Sequence, residues 1–578
     1  MDLPSLSSQL YLIDAIGPFF KGYDRVKINW SKLPWARFQD MKQENLRALF
    51  EQFRGDMDIF ARSVAKIGYN GVTLDDVPHL ADHEYYETSV RNRIALYRQE
   101  FRQIFKIIRS RGLQIYLTMD LLTLTPALQK KLGNSEKKRN EFIVELLNRF
   151  FEDFPQVAGV VLRIGESDGL DVKDEFRSQL VLKNPAMVNR CLKSILPVFE
   201  KHKRRCIFRT WTVGAHEVGD LIWHEATLEK TVSGIDSPAF VLSMKYGESD
   251  FFRYMSLNRN FFLTDIPKIV ELQTRREFEG CGEFPSFIGD DYEQFSIELR
   301  EAPNVVGMSV WCQTGGLTPF RRLAFIEENA IWTEINTFVA LRLFKHGELA
   351  AEALSHLPGI SNYAAMIELL RLSEEVVIEL LYLPDFARSK LFFRRVRIPP
   401  LIGVYWHNLF ISHSIKKLAS HFVEDGEACI RSGYAAMAKI RRMRTLALQC
   451  NLPEEDIEFM EYTFGIIALS REYLFRPLDD EIKERLEYVK AAYKKKYPRG
   501  NRYRYAVKMD FSPFKFNKRI MGMFFTYMTK KQPGYRLIDK IVGLRLLSIA
   551  HVFLKRSRPR LVPKFSRKSA MGIDAIFK

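Results

Sequence analysis

An α/β fold, with eight parallel strands closed into a barrel and an all-helical domain following it, is predicted by three observations. Short β-rich runs alternate with amphipathic helical stretches through the first 320 residues or so. Eight such runs occur, separated by the length that a strand–helix unit needs. Beyond about Phe320 the strand-like runs largely disappear and long helical stretches replace them.

The predicted strands are Arg25–Trp30 (RVKINW), Gly71–Leu74 (GVTL), Gln114–Thr118 (QIYLT), Gly159–Arg163 (GVVLR), Arg205–Trp211 (RCIFRTW), Phe240–Lys245 (FVLSMK), Lys268–Gln273 (KIVELQ) and Val305–Trp311 (VVGMSVW). Helical segments lie between them, for example Glu44–Ile67 and Val90–Arg111, with apolar residues at three- and four-residue spacing. Alternation of strand and helix implies parallel pairing, and eight units in about 300 residues imply closure into a (β/α)8 TIM barrel. An open doubly wound sheet is the alternative, but no G-x-G-x-x-G follows the first strand.

The expected division is an N-terminal extension over 1–24, the barrel over 25–322, a helical domain over 323–500 and a basic helical tail over 501–578. Helices are predicted over Leu323–Lys345, Asn362–Leu381, Glu427–Leu448, Glu455–Leu474 and Asp480–Lys495. Within the tail, the apolar stretch Leu537–Leu554 carries Lys540, Arg545 and His551. It reads as a packed helix, with an anionic membrane surface as the alternative. The segment Arg397–Ser412, with Trp406 and His407 among apolar residues, reads as interdomain packing; reach over the barrel mouth is the other reading.

Composition narrows the class. Of 578 residues, 47% are apolar and 13% aromatic, enough for a large core. The net charge of +17 invites a polyanionic partner: an acidic polysaccharide, an anionic membrane or nucleic acid. Nucleic acid rests on charge alone, because no recognised binding motif accompanies it. The six cysteines (191, 206, 281, 312, 429 and 450) stand singly, with no CxxC pair for a zinc ribbon. Sparse cysteines suit a reducing compartment. The first residues show no basic and apolar signal pattern, and no apolar run reaches membrane-spanning length. A cytoplasmic location is therefore expected.

In a barrel of this kind the chemistry sits where strands end. Strand by strand, the sequence places there Asp75 and Asp76, Asp120, Arg163 and Glu166, Arg209 and Trp211, Lys245 and Asp250, Glu271, Gln273 and Glu277, and Trp311 and Gln313. Carboxylates, cations and tryptophans at one mouth are the inventory of a glycosidase. One carboxylic acid must protonate the leaving oxygen, and another carboxylate must activate water or attack the sugar. Each residue also has a plainer reading. Arg163 and Glu166 could form a structural ion pair, and Arg209 and Lys245 could neutralise buried carboxylates. Glu277, Glu279 and Glu283 could be solvated loop charges, and Trp211 and Trp311 core residues.

At these residues the chain resembles the α-glucuronidases of glycoside hydrolase family 67, from about Ile67 to about Gly280. The segments are IGYNGVTLDDV, VAGVVLRIGESDG, CIFRTW, LSMKYGESDF and VELQTRREFEG. The resemblance implies Glu166 as general acid, and Asp250 and Glu277 as the pair that holds and activates water. It implies Arg209 and Lys245, together with Arg163, as ligands of a uronic acid carboxylate. Asp76, Trp211 and Trp311, read from the strand ends, are expected to complete the substrate surface; the family prefers amides where Asp75 and Asp76 stand. It further implies inversion, no metal or other cofactor, and a helical domain used for dimerisation. Arg163 stands where the family has lysine, and the family's N-terminal β-domain has no counterpart. A distant relative is therefore expected, rather than a standard xylan-side-chain α-glucuronidase. The alternatives are a glycosidase for another sugar of an anionic polysaccharide and a non-catalytic carbohydrate-binding barrel.

Overall fold

The structure, a computed structural model, describes residues 6, 8–23, 33–39, 41–165, 175–212, 216–313, 322–328, 330–393, 395–498 and 505–512, and isolated stretches between 522 and 557. Eight parallel strands close into a barrel: β1 Leu10–Asp14, β2 Gly71–Asp75, β3 Gln114–Asp120, β4 Gly159–Arg163, β5 Arg205–Arg209, β6 Phe240–Lys245, β7 Lys268–Gln273 and β8 Val305–Trp311. Each strand pairs with its sequence neighbours, and β1 pairs with β8 to close the ring.

Seven of these strands lie where the sequence predicts them. The first does not. It is LYLID at Leu10–Asp14, inside the stretch expected to be an extension, so the barrel begins before residue 25. The physical reason is burial on both faces. LYLID is buried at every position, and a parallel barrel strand reads as a near-continuous apolar run rather than an alternating one. The expected first strand, Arg25–Trp30, lies outside the described residues.

Alternation along each strand sets what points inward. The lower interior is filled by Leu10, Leu12, Tyr116, Val161, Ile207, Val241 and Ile269. Continuing each strand by steps of two leads from this apolar floor to Asp14, Thr118 and Asp120, Arg163, Arg209, Ser243 and Lys245, and Glu271 and Gln273. The barrel axis therefore turns from apolar to charged toward the C-terminal strand ends.

Outside the barrel, Gln43–Ile67 and Thr88–Ser110 pack one apolar stripe each against the strands. After the barrel come helices Ile331–His346, Tyr363–Leu380, Gly426–Gln449, Glu454–Phe475 and Asp480–Lys496. Glu454–Phe475 is buried on nearly every side, which makes it the central helix of this region. Among the described residues the helical region also holds a small sheet. The hairpin Val404–Tyr405 and Asn408–Ser412 is extended in parallel by Ala506–Asp510. The expected helical tail thus opens with a strand, whose backbone hydrogen bonds go to the hairpin edge. Of the predicted Leu537–Leu554 helix, Leu537–Val542 is seen. No helix among the described residues is long and apolar enough to cross a membrane.

Candidate functional site

The strand register sets the charged side chains level with one another. Asp75 faces Thr118, Asp120 faces Arg163, Arg209 faces Ser243, Lys245 faces Glu271, and Trp311 faces Gln273. On the side of β2 to β4, Arg163 Nε donates to Asp120 Oδ1 at 2.7 Å, with Asp75 Oδ1 3.9 Å from its Nη2. Asp75 in turn accepts from the Thr118 hydroxyl and the Leu33 backbone N–H. The plainer reading of Arg163, a structural ion pair, describes these contacts, although its partner is Asp120. Asp76 is occupied by His79, through both its ring Nδ1 and its backbone N–H, and His79 stacks on Trp35 at 3.9 Å.

On the side of β5 to β8, Glu271 is the hub. Arg209 donates to it through Nε at 2.7 Å and Nη2 at 2.8 Å. Ser243 Oγ adds a bond at 2.6 Å and Trp311 Nε1 one at 3.3 Å. Burial alone would raise the Glu271 carboxyl, but Arg209, Ser243 and Lys245 together hold it below the usual carboxylate range. Trp311 lies over the Arg209 guanidinium, at 4.7 Å. It is a wall of the barrel as much as a surface for ligand.

Lys245 carries the network outward. Its Nζ donates to Asp250 Oδ1 at 2.6 Å and sits over the rings of Trp211 at 3.5 Å and Phe251 at 4.2 Å. The Asp250 side chain keeps 21% exposure, whereas that of Lys245 keeps 5%. The Asp250 end of the pair therefore faces the open side. Glu277, in the loop after β7, is fixed by a reciprocal pair of bonds with Gln273: the side-chain amide donates to Glu277 Oε1, and the Glu277 N–H donates to Gln273 Oε1, both at 3.0 Å.

The charges of Asp250 and Glu277 both act on Tyr405. Burial, then the negative charges of Asp250 and Glu277, push the Tyr405 hydroxyl well above its ordinary pKa. The two carboxylate loops are also packed to each other, because Phe252 and Phe278 stand 4.3 Å apart. Tyr405 and Trp406 belong to the Arg397–Ser412 segment and lie against Phe278. That segment reaches the loops at the barrel mouth and packs there at once. Glu166, the expected general acid, lies outside the described residues.

The loop after Glu277 is not solvated. Glu279 and Glu283 are both buried. Glu279 accepts from Arg253, Arg276, Ser286 and Tyr382. Arg253 also donates to Glu374, on the helix Tyr363–Leu380, at 2.6 Å. Sequence reasoning missed this network, since neither Arg253 nor Glu374 is near a strand end or in a motif. The sequence singles out the Trp406 segment, but Tyr405 carries no separate signal in it. Among the described residues, His83, Glu84 and Glu145 cluster at metal-ligand spacing. His83 Nδ1 accepts from the Tyr85 N–H, leaving Nε2 to donate to Glu145, and Arg149 pairs with Glu84. These contacts describe a hydrogen-bonded histidine beside one ion pair, Arg149 with Glu84.

No family model matches the chain, and no curated protein matches it by sequence. Solved structures align with it only at low identity. A GH138 enzyme targeting pectin rhamnogalacturonan II aligns at 10% identity and TM-score 0.48, over 86% of this chain and 62% of that one. The chain therefore spans less than two thirds of that enzyme's length. A β-mannanase from the blue mussel Mytilus edulis aligns at 11% identity and TM-score 0.31, over 59% of this chain and 94% of that one. A D-allulose 3-epimerase from Methylomonas sp. aligns at 10% and 0.32, over 60% and 99%.

Proposed function

We propose that the protein is a glycoside hydrolase that cleaves an α-linked uronic acid, or a related sugar, by general acid/base catalysis with inversion. The observation that carries the reading is the packing of the loops after β6 and β7, which bear Asp250 and Glu277, onto each other through Phe252 and Phe278 at 4.3 Å. Two carboxylates at a mouth can hold and polarise one water. The family resemblance supplies Glu166 as the acid. Arg209, Lys245 and Arg163 make this end of the barrel cationic, which suits a carboxylate on the sugar. All three are paired, Arg209 with Glu271, Arg163 with Asp120 and Lys245 with Asp250, and Lys245 is the one whose partner is partly exposed. Trp211, partly exposed beneath Lys245, offers a ring face to a sugar. The surplus of positive charge favours a sugar that belongs to an anionic polymer.

The test is hydrolysis of paired aryl α-glycosides that differ only in a uronate carboxylate. The uronoside is expected to turn over faster, and Lys245→Met to raise the KM of the uronoside more than that of the neutral glycoside. Glu166→Gln is expected to lower kcat by roughly 10²- to 10⁴-fold without unfolding the chain. Equal turnover of the two substrates would move the reading to a neutral sugar, and full activity of Glu166→Gln would remove it from the acid's role.

A further inference from the structure

The C-terminal region contributes more than packing to the mouth. Its hairpin turns at Trp406 and His407, between the paired residues Tyr405 and Asn408. Trp406 has φ of +51°, in the left-handed region that a bulky side chain rarely adopts. Two-residue hairpin turns need positive φ, and the residues that supply it at low cost are Asn, Asp and Gly. A tryptophan there holds its ring on Phe278 (6.0 Å, 15° between planes) at a conformational cost, and such cost tends to persist at functional positions.

The effect falls on Tyr405. Its ring packs against both Trp406, at 4.2 Å, and Phe278, at 5.7 Å, which also touch each other. Phe278 directly follows Glu277 and packs on Phe252, two residues after Asp250. The aromatic stack therefore indexes the tyrosine to both carboxylate loops. Among the described residues, no hydrogen bond engages the Tyr405 hydroxyl, although Asp250 and Glu277 both act on it. A half-buried phenol in a negative field, with an unspent donor, is set up to bind something placed between the two acids.

We propose that Tyr405, delivered by the C-terminal hairpin, is the third polar member of the site and donates a hydrogen bond to the water or sugar hydroxyl held between Asp250 and Glu277. This deepens the hydrolase reading and rests on it for the identity of the bound group. A phenol that stays protonated is a donor throughout the working pH range. Two carboxylates alone offer only acceptors, so they can hold a water by its protons but not by its lone pair. Tyr405 supplies the missing donor and orients that lone pair. The site is then complete only when the helical region is docked on the barrel.

The test compares the full-length protein with Tyr405→Phe, which keeps the ring and its stacking. On whichever aryl glycoside the wild type cleaves, kcat is expected to fall by roughly 10- to 100-fold with KM nearly unchanged. Trp406→Phe should lose less, and circular dichroism should be unchanged in both. A second arm needs no turnover: the ¹³C carboxyl resonances of Asp250 and Glu277, assigned by Asp250→Asn and Glu277→Gln, are followed in wild type and Tyr405→Phe. Both resonances are expected to move when the hydroxyl is removed. Moved resonances in a protein that cleaves no glycoside would sink the hydrolase reading and keep Tyr405 in the site. Unmoved resonances, or an unchanged kcat in an active enzyme, would overturn the proposal for Tyr405.

Discussion

At the scale of single residues, the barrel mouth is governed by how buried charges are compensated. Glu271 is completely buried and is tolerated because Arg209 meets it with two bonds. Removing one partner of such a pair strands the other charge. Arg209→Met is therefore expected to destabilise the protein by about 3–5 kcal/mol at neutral pH, read by denaturant titration. The sign of the pH dependence follows from the lowered carboxyl of Glu271. In the wild type this group contributes stability above the ordinary carboxylate pKa and loses it as the pH falls. In Arg209→Met the carboxyl has no such benefit, so the gap between the two proteins should narrow in acid. A gap that stays constant well below the ordinary carboxylate pKa would show that Glu271 is not ionised against Arg209. The strand-end residues themselves were legible in the sequence, because a barrel strand presents its last inward residue to the mouth. Their partners were not. Nothing in CIFRTW or VELQ says that Arg209 and Glu271 point at each other rather than at a ligand, since that depends on strand register.

At the scale of elements, the loop after β7 and the helix Tyr363–Leu380 are joined by charge. Arg253 lies between Glu279 and Glu374, and both carboxylates are buried. Burial, offset by Arg253 and reinforced by Asp291 and Asp290, pushes the Glu374 carboxyl up to about 8. A carboxyl raised on folding costs stability as the pH climbs from its unfolded value toward its folded one. Glu374→Gln removes that cost. Its melting temperature, relative to wild type, is expected to rise between about pH 5 and 8 and to level off above. A difference that is flat across this range would show that Glu374 is ionised throughout. Most elements were legible from periodicity alone, and the long helices agree with prediction to within a turn or two, apart from the late start at Ile331. The misses share one cause. LYLID and the strand AVKMD at Ala506–Asp510 are short, and their pairing partners are far away in sequence. Local pattern cannot display such a partner.

At the scale of the whole molecule, the barrel and the helical region behave as one packed body. Arg322, just after the barrel, pairs with Asp456 on the central helix through Nη1 at 2.6 Å and Nη2 at 2.5 Å, and Trp332 Nε1 donates to the same carboxylate at 2.7 Å. Phe284 of the barrel loops packs on Phe464 of that helix. The tail is tied in as well: Lys530 pairs with Phe392 through the backbone, and the Tyr535 hydroxyl donates to Asp220 after β5. Calorimetry is therefore expected to show one cooperative transition, and a chain ending at residue 322 to be insoluble. Two well-separated transitions would contradict this. The composition shift near Phe320 was legible, but it marks a change of architecture and not a boundary at which the molecule can be divided. The account as a whole depends on the stereochemistry of one reaction, followed by proton NMR from the first minutes of hydrolysis of an α-linked uronoside. Initial release of the β-anomer, lost in Glu166→Gln, is the predicted result. Initial release of the α-anomer, or no cleavage at all, would contradict it.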